Sequence, residues 1–292
     1  MSCASPLPCP PPFSLKGETD VSTRPDSTSL VHEVKEKYGA IARGEASGCC
    51  GSTSTVALAI GYTEADLKLA RDANLGLGCG NPLALAEIRP GMTVLDLGSG
   101  AGFDAFLAWN RVGPTGRVIG VDMTDDMLDR ARSNATHLGA SNVEFRKGFI
   151  EHMPVDDASV DLVISNCVIN LSTDKPAVFR DICRVLKPGG RFAVSDIVLL
   201  APLPEVVARD VNAYVGCVAG ASLLGDYLRT ATDAGLADLS IPAITPGTAL
   251  LAAYTASGTS GCAPSGKSMW QPEMIRDAAS RIASVKLHGR RP

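Results

Sequence analysis

The chain has 292 residues, 45% of them hydrophobic, enough to bury one substantial core with a smaller appended layer. A formal charge of −4 argues against general affinity for nucleic acids or anionic membranes, and no run approaches the ~18 apolar residues of a membrane span. Nine cysteines, with no basic-then-apolar segment at the N-terminus, read as reduced thiols of a cytoplasmic protein available for metal or redox work, not as a secreted disulfide scaffold.

Residues 1–27, with six prolines and many Ser and Thr, read as a disordered leader in which Cys3 and Cys9 are bystanders. Residues 28–90 read as a helical cap. Its first helix, Leu30–Ala46, ends near the Gly48–Gly51 turn that carries Cys49 and Cys50, and a second, Glu64–Ala73, is capped by Thr63. The glycine-rich loop GLGCGNP follows, carrying Cys79, and Pro82 suits the start of another helix.

From Gly91 to residue 200 strands and helices alternate. Strands are expected at Thr93–Leu97, Arg117–Asp122, Asn142–Lys147, Val160–Ser165 and Arg191–Leu199. Helices are expected from Phe103, over Asp125–Leu138 with Thr124 as cap, and over Asp174–Leu186, stopped by KPGG. Such alternation means an α/β fold with a parallel sheet and a ligand crevice at the carboxyl ends of its strands. Residues 201–255 form a substrate-side extension, with helices Leu203–Val218 and Ser222–Ala234 and strands near Leu239–Ile244 and Ala249–Thr255. Residues 256–292 read as a Gly/Ser/Thr-rich linker, a helix opened by Pro272 and a basic tail holding His288. Cys262 has no assigned role, and no histidine has a partner at zinc-ligand spacing.

The loop VLDLGSGAGFD, Val94–Asp104, sits at the end of the first of these strands. Gly98, Gly100 and Gly102 let the backbone turn tightly and approach a ligand. Their spacing departs from the dinucleotide fingerprint G-x-G-x-x-G, because the third glycine comes one residue early. Asp96 puts an anion where a pyrophosphate would be repelled and an ammonium welcomed. Asp122 ends the second strand, placed to accept from both hydroxyls of a ribose.

With VIGVDMT, GFIEHMP and RVLKPGGRF following in order, this segment resembles the class I S-adenosylmethionine-dependent methyltransferases, and implies their Rossmann-like sheet and that cofactor. On the resemblance, Asp96, Gly98, Ser99 and Gly100 hold the methionine part, Asp122 the ribose and Met123 the adenine face. Ile150 and Glu151 meet the adenine edge, and Asn166 lines the pocket. GLGCGNP, ISNCVINLS and YVGCVAGA, together with Glu33-x-x-x-Lys37-Tyr38-Gly39 and the cysteine pair after it, are similar to arsenite S-adenosylmethionine methyltransferases from about Val31 to Thr255.

That resemblance implies trivalent arsenic held by Cys167, Cys217 and Cys79. Soft sulfur ligands suit such a centre, and its lone pair can attack a sulfonium methyl with no proton to remove. Cys167, beside the cofactor pocket, is placed nearest the arsenic, with Cys217 as its partner. The implied substrates are arsenite and methylarsenite. A small thiol or thioredoxin-type reductant is the implied source of electrons, through a disulfide in which Cys79 attacks and Cys49 or Cys50 resolves. Two other readings of the same residues are a quinone-biosynthesis type C- or O-methyltransferase, with incidental cysteines, and a non-catalytic thiol sensor.

Overall fold

In the N-terminal part, helix formation follows the capping residues. The computed structural model describes residues 26–46, 53–84, 86–256 and 271–292. The expected leader up to residue 25, the turn with Cys49 and Cys50, and most of the linker, with Cys262, lie outside them. Helix α1, Ser27–Ala42, starts where the Asp26 carboxylate accepts from the Ser29 amide at 2.9 Å. It begins and ends earlier than the apolar period suggests. Helix α2, Thr53–Ala59, was not expected from the sequence. Helix α3, Glu64–Leu69, has the expected Thr63 cap, closed into a capping box by Asp66. The remainder to Ala73 is a 3-10 turn, as is the short piece at Pro82–Ala84 where a helix was expected.

The alternating segment forms β1 (Thr93–Leu97), α4 (Phe103–Val112), β2 (Arg117–Asp122), α5 (Asp125–Leu138), β3 (Val143–Lys147), β4 (Val160–Asn166), α6 (Lys175–Val185) and β5 (Leu186–Leu199). Beyond it come α7 (Glu205–Ala208), α8 (Val211–Val215), α9 (Leu224–Asp233), β6 (Ala237–Pro246), α10 (Gly247–Ala256), α11 (Pro272–Ser280) and β7 (Ile282–Arg290). The strands make one seven-stranded sheet in the order β3-β2-β1-β4-β5-β7-β6, parallel except for β7, which runs antiparallel to both neighbours.

Three expectations for the C-terminal part are corrected here. The predicted strand Ala249–Thr255 is helical, because Ala and Leu dominate GTALLAAYTA and outweigh its Tyr and Thr. The single helix Leu203–Val218 is two short ones, α7 and α8, parted at Arg209–Asp210, where Asp210 caps α8 through the Ala213 amide. The basic tail is strand β7, wedged between β5 and β6. Its alternation buries Ala283, Val285 and Leu287 on one face and puts Lys286 and His288 on the other.

The sheet separates two apolar layers. One packs α4, α5 and the cap against it through Phe106, Leu107, Met127 and Leu83. The other packs α6 and α9 through Phe179, Ile182 and Tyr227. Phe179 is fully buried, with its ring edge-on to Tyr227 at 5.2 Å and to Phe192 at 6.5 Å. Replacing it by Ala should cost about 3–5 kcal/mol of unfolding free energy, read from the midpoint of chemical denaturation. A loss below about 1 kcal/mol would mean that this layer is loosely packed. Because β1 lies between β2 and β4, the connections diverge at β1 and β4. Their carboxyl ends therefore open the crevice where a parallel sheet binds ligands.

Candidate active site

A cavity lies over that crevice. It is lined by all nine residues expected to hold a cofactor: Asp96, Gly98, Ser99, Gly100, Asp122, Met123, Ile150, Glu151 and Asn166. Gly98 has φ +60°, and a Cβ there would fall 2.3 Å from a Val168 methyl, so both backbone shape and packing demand glycine. Asp122 closes the loop from below: one carboxylate oxygen accepts from the Gly100 amide at 2.9 Å, the other from the Thr124 amide at 2.8 Å. The Thr124 hydroxyl thus does not cap α5, although Thr124 is its N-cap residue. Glu151 accepts from the Ser172 hydroxyl, which fixes the rim.

Two polar atoms in this wall, Asp96 Oδ2 and Ser99 Oγ, are buried without a partner among the described residues. Burial, then the charges of Asp104 and Asp122, pushes the Asp96 carboxyl well above its usual range. An unpaired carboxylate oxygen in a buried wall is costly unless a donor arrives from a ligand, so the wall fits a cationic, hydroxyl-bearing guest.

Asp104 and Tyr62 were missed as site residues. Asp104 was quoted in the glycine loop but given no role. It lines the cavity, and its carboxylate accepts from the Tyr62 hydroxyl at 2.6 Å and from the Asn166 amide at 3.0 Å. Burial raises Asp104 to about 6, while those two donors and Arg111 hold it down and the charge of Asp66 adds to the rise. The legible signal was a second acid eight residues after Asp96, on the first turn of α4.

A second, more apolar cavity adjoins the first, and both are lined by Tyr38, Gly76, Leu77, Gly78 and Cys167. Cys79 and Cys217 line the second cavity too, and with Cys167 they form a buried cluster packed on Ile197 and Leu250. Cys167 follows β4 with φ +60° and its amide donates to the Ser195 carbonyl at 2.8 Å. Cys217 follows α8 with φ +63°, and its thiol donates to the Cys167 carbonyl at 2.7 Å. Left-handed backbone at two non-glycine residues is strain of about 1–3 kcal/mol each, held in place by the surrounding packing. Cys79 reaches the cluster from the glycine-rich loop, its amide donating to Asn166 Oδ1 at 3.2 Å and its carbonyl accepting from Ser284 Oγ at 2.9 Å.

The structure thus brings Cys79, Cys167 and Cys217 together. Cys49 and Cys50 lie outside the described residues. Cys183, the remaining described cysteine, is buried in the layer of α6 and α9, away from this cluster. None of the four described cysteines is in a disulfide.

Asp196 is a further residue that sequence reasoning missed. One of its carboxylate oxygens and the sulfurs of Cys79 and Cys167 all lie within 4.8 Å of one another. It is fully buried and raised to about 7 by burial, against donors from Tyr227, the Ile197 amide and Asn170. A lone acid inside the apolar run of β5 was its only signal. Burial raises the Cys79 thiol, and the Asp196 charge adds to the rise. For Cys167 the contact with Cys217 pulls downward, but the contact with Cys79 and burial outweigh it, leaving that thiol well above its usual range. Reactive nucleophilic cysteines are tuned the other way. Cys79 and Cys167 thus favour the neutral thiol in a buried, largely apolar pocket, an arrangement suited to capturing a soft centre that brings its own hydroxides.

The methyltransferase domain family model matches residues 88–235. Arsenite methyltransferases from Halobacterium salinarum and Aquipseudomonas alcaligenes are 47% and 35% identical over 80% and 71% of this chain. The chain spans 63% and 62% of the length of these two curated relatives. Among solved structures, an arsenic(III) S-adenosylmethionine methyltransferase from Chlamydomonas reinhardtii is 32% identical. That match covers 80% of this chain and 72% of that one, with a TM-score of 0.59.

Proposed function

We propose, for a chain that belongs to the arsenite S-adenosylmethionine methyltransferase family within the class I methyltransferases, that it transfers methyl groups from S-adenosylmethionine to thiol-bound trivalent arsenic. The observation that supports this reading most is the meeting of the two cavities at Cys167, which lines both. A quinone-type methyltransferase has no use for three buried thiols in a cavity that adjoins its cofactor pocket.

The residues divide the work. Asp96 and Asp104 accept the ammonium of the methionine part, with Gly98, Ser99 and Gly100 against it. Asp122 accepts from the ribose; each of its oxygens spends one lone pair on a backbone amide and keeps another for a ribose hydroxyl. Met123, Ile150 and Glu151 border the adenine. When bound, the cofactor supplies an electrophilic sulfonium methyl.

Arsenite enters as a hydroxide of arsenic. Each cysteine that takes it forms one As–S bond as one As–O bond breaks, and the thiol proton leaves with the hydroxide as water. Neutral thiols can therefore load arsenic without a general base, in keeping with the raised thiols of Cys79 and Cys167. Cys167, with Cys217 and Cys79, then holds arsenic with its lone pair turned toward the first cavity. Holding two reactants in line can remove about 7–11 kcal/mol from a barrier.

Methylation leaves arsenic at the pentavalent level, and returning it to the trivalent level takes two electrons. We assign these to a cysteine pair that closes to a disulfide, Cys79 with Cys49 or Cys50. A small thiol or thioredoxin-type reductant of the cytoplasm then reopens it. The substrates on this reading are arsenite and methylarsenite, and the role is arsenic detoxification. No helix among the described residues is long and apolar enough to cross a membrane.

A pH dependence follows from Asp104. Its carboxylate must be ionised to hold an ammonium, and burial has raised it to about 6. Cofactor affinity should therefore be retained at pH 7 and fall by about tenfold per pH unit below 6, as the proton competes with the ammonium. Calorimetric titration between pH 5 and 8 checks this. Affinity that stays flat to pH 5 would remove Asp104 from the ammonium site.

A further inference from the structure

One polar network joins the two cavities, and it contains a deficit of protons. Asn166 Nδ2 lies 2.8 Å from the Tyr62 hydroxyl oxygen, 3.0 Å from Asp104 Oδ2 and 2.9 Å from the Gly80 carbonyl. An amide nitrogen carries two hydrogens, so three acceptors compete for them. Two of those acceptors belong to the cofactor side. The third belongs to the loop that carries Cys79, whose own amide donates to the other end of the same side chain, Asn166 Oδ1. Tyr62 completes the circuit by donating to Asp104 Oδ1. The loop packs directly on this amide: a Cβ on Gly78 would lie 2.6 Å from Asn166 Nδ2.

We propose that Asn166 and Tyr62 couple the two sites, so that cofactor binding at Asp104 tightens the Cys79 loop and raises the affinity for arsenite. The inference rests on the functional reading above, in which Asp104 receives the cofactor's ammonium. When that ammonium donates to Asp104 Oδ2, the carboxylate no longer needs the Asn166 hydrogen. The amide then serves the Gly80 carbonyl, and Cys79 is held by both ends of one side chain, N–H to Oδ1 and neighbouring C=O to Nδ2. Without the cofactor the amide is shared, and the loop is held less firmly. Coupling of this kind is reciprocal, so arsenite must tighten cofactor binding by the same factor. Tyr62 and Asn166 act here as positioning residues.

The test uses the full chain with arsenite and S-adenosylhomocysteine, which has the ammonium but no methyl to transfer, so that binding is read without turnover. Each ligand is titrated calorimetrically in the absence and presence of the other. The expected result is a mutual enhancement of roughly 5- to 150-fold. In Tyr62→Phe, which keeps the ring packed against Phe103 but removes the hydroxyl, the enhancement should fall to near one. Arsenite affinity measured alone should rise toward the value the parent chain shows with the nucleoside bound, because the two amide hydrogens then serve only two acceptors. A purely structural role for Tyr62 would weaken each ligand separately and leave the enhancement intact. Should Tyr62→Phe fail to fold, Gly78→Ala displaces the Asn166 amide and should abolish the enhancement likewise.

Binding of both ligands with no mutual enhancement in the parent chain, or an enhancement unchanged in the variant, overturns the coupling and leaves the functional reading standing. Failure of the parent chain to bind arsenite or the nucleoside brings down the functional reading and the coupling with it.

Discussion

Cys167→Ser is expected to abolish methylation of both arsenite and its monomethyl form, lowering the rate by at least ~100-fold. Serine keeps the size of the side chain but offers a harder, far less acidic donor in place of a soft one. The structure adds reasons specific to this position. Cys167 borders both cavities, it contacts Cys79 and Cys217, and its backbone is held at φ +60°. Cys217→Ser should behave in the same way. Arsenite can use three sulfur ligands, whereas each methyl group added removes one, so a monomethyl substrate holds only two. Cys79→Ser and the double replacement of Cys49 and Cys50 should therefore harm the arsenite step and largely spare the monomethyl step. Cys3, Cys9 and Cys262 should tolerate replacement in either assay. Separate rate measurements with the two substrates, beside thermal melts to exclude unfolding, check the whole set. Full arsenite activity in Cys167→Ser would remove the thiol pocket from the reaction.

The second large effect is expected at Asp122. Asp122→Ala removes the acceptor for two ribose hydroxyls, at about 1.5–3 kcal/mol for each charge-assisted bond. It also removes the partner of the Gly100 amide at 2.9 Å, so the loop that must meet the cofactor loses its brace. Together these predict a loss of at least ~100-fold in cofactor affinity by calorimetry. Unchanged affinity would take Asp122 out of the site. Asp122→Asn, which keeps one carbonyl oxygen, should lose less.

The parts of the molecule legible in the sequence are those where one local rule acts alone. Asp96, Gly98 and Asp122 lie in or at the carboxyl ends of buried strands, at places where only a few residue types can stand, so a linear pattern carries them. The cysteines were legible one loop at a time. Their meeting was not, since Cys79, Cys167 and Cys217 come from three segments whose approach depends on how the cap and α8 fold over the sheet. Tyr62 and Asp104 escaped for the same reason: a hydroxyl and a carboxylate 42 positions apart become partners only after the cap docks. Asp196 was hidden by its surroundings, because a single acid within VSDIVLL looks like an interruption of a strand.

The C-terminal part failed for other reasons. In Gly247–Ala256 helix propensity from Ala and Leu prevailed over an apolar run that also suits a strand. In Ile282–Arg290 a clear two-residue alternation, Ala283, Val285, Leu287, was obscured by the basic residues around it. Those basic residues stand on the opposite face of a strand that the sheet needs, between β5 and β6.

The central claim, methyl transfer to arsenic at this thiol pocket, is tested most directly by incubating the full chain with arsenite, S-adenosylmethionine carrying a labelled methyl group and a small thiol, then separating the arsenic species chromatographically. The account predicts labelled methylarsenic, formed only when all three are present and lost in Cys167→Ser. Tight arsenite binding without labelled arsenic would contradict it.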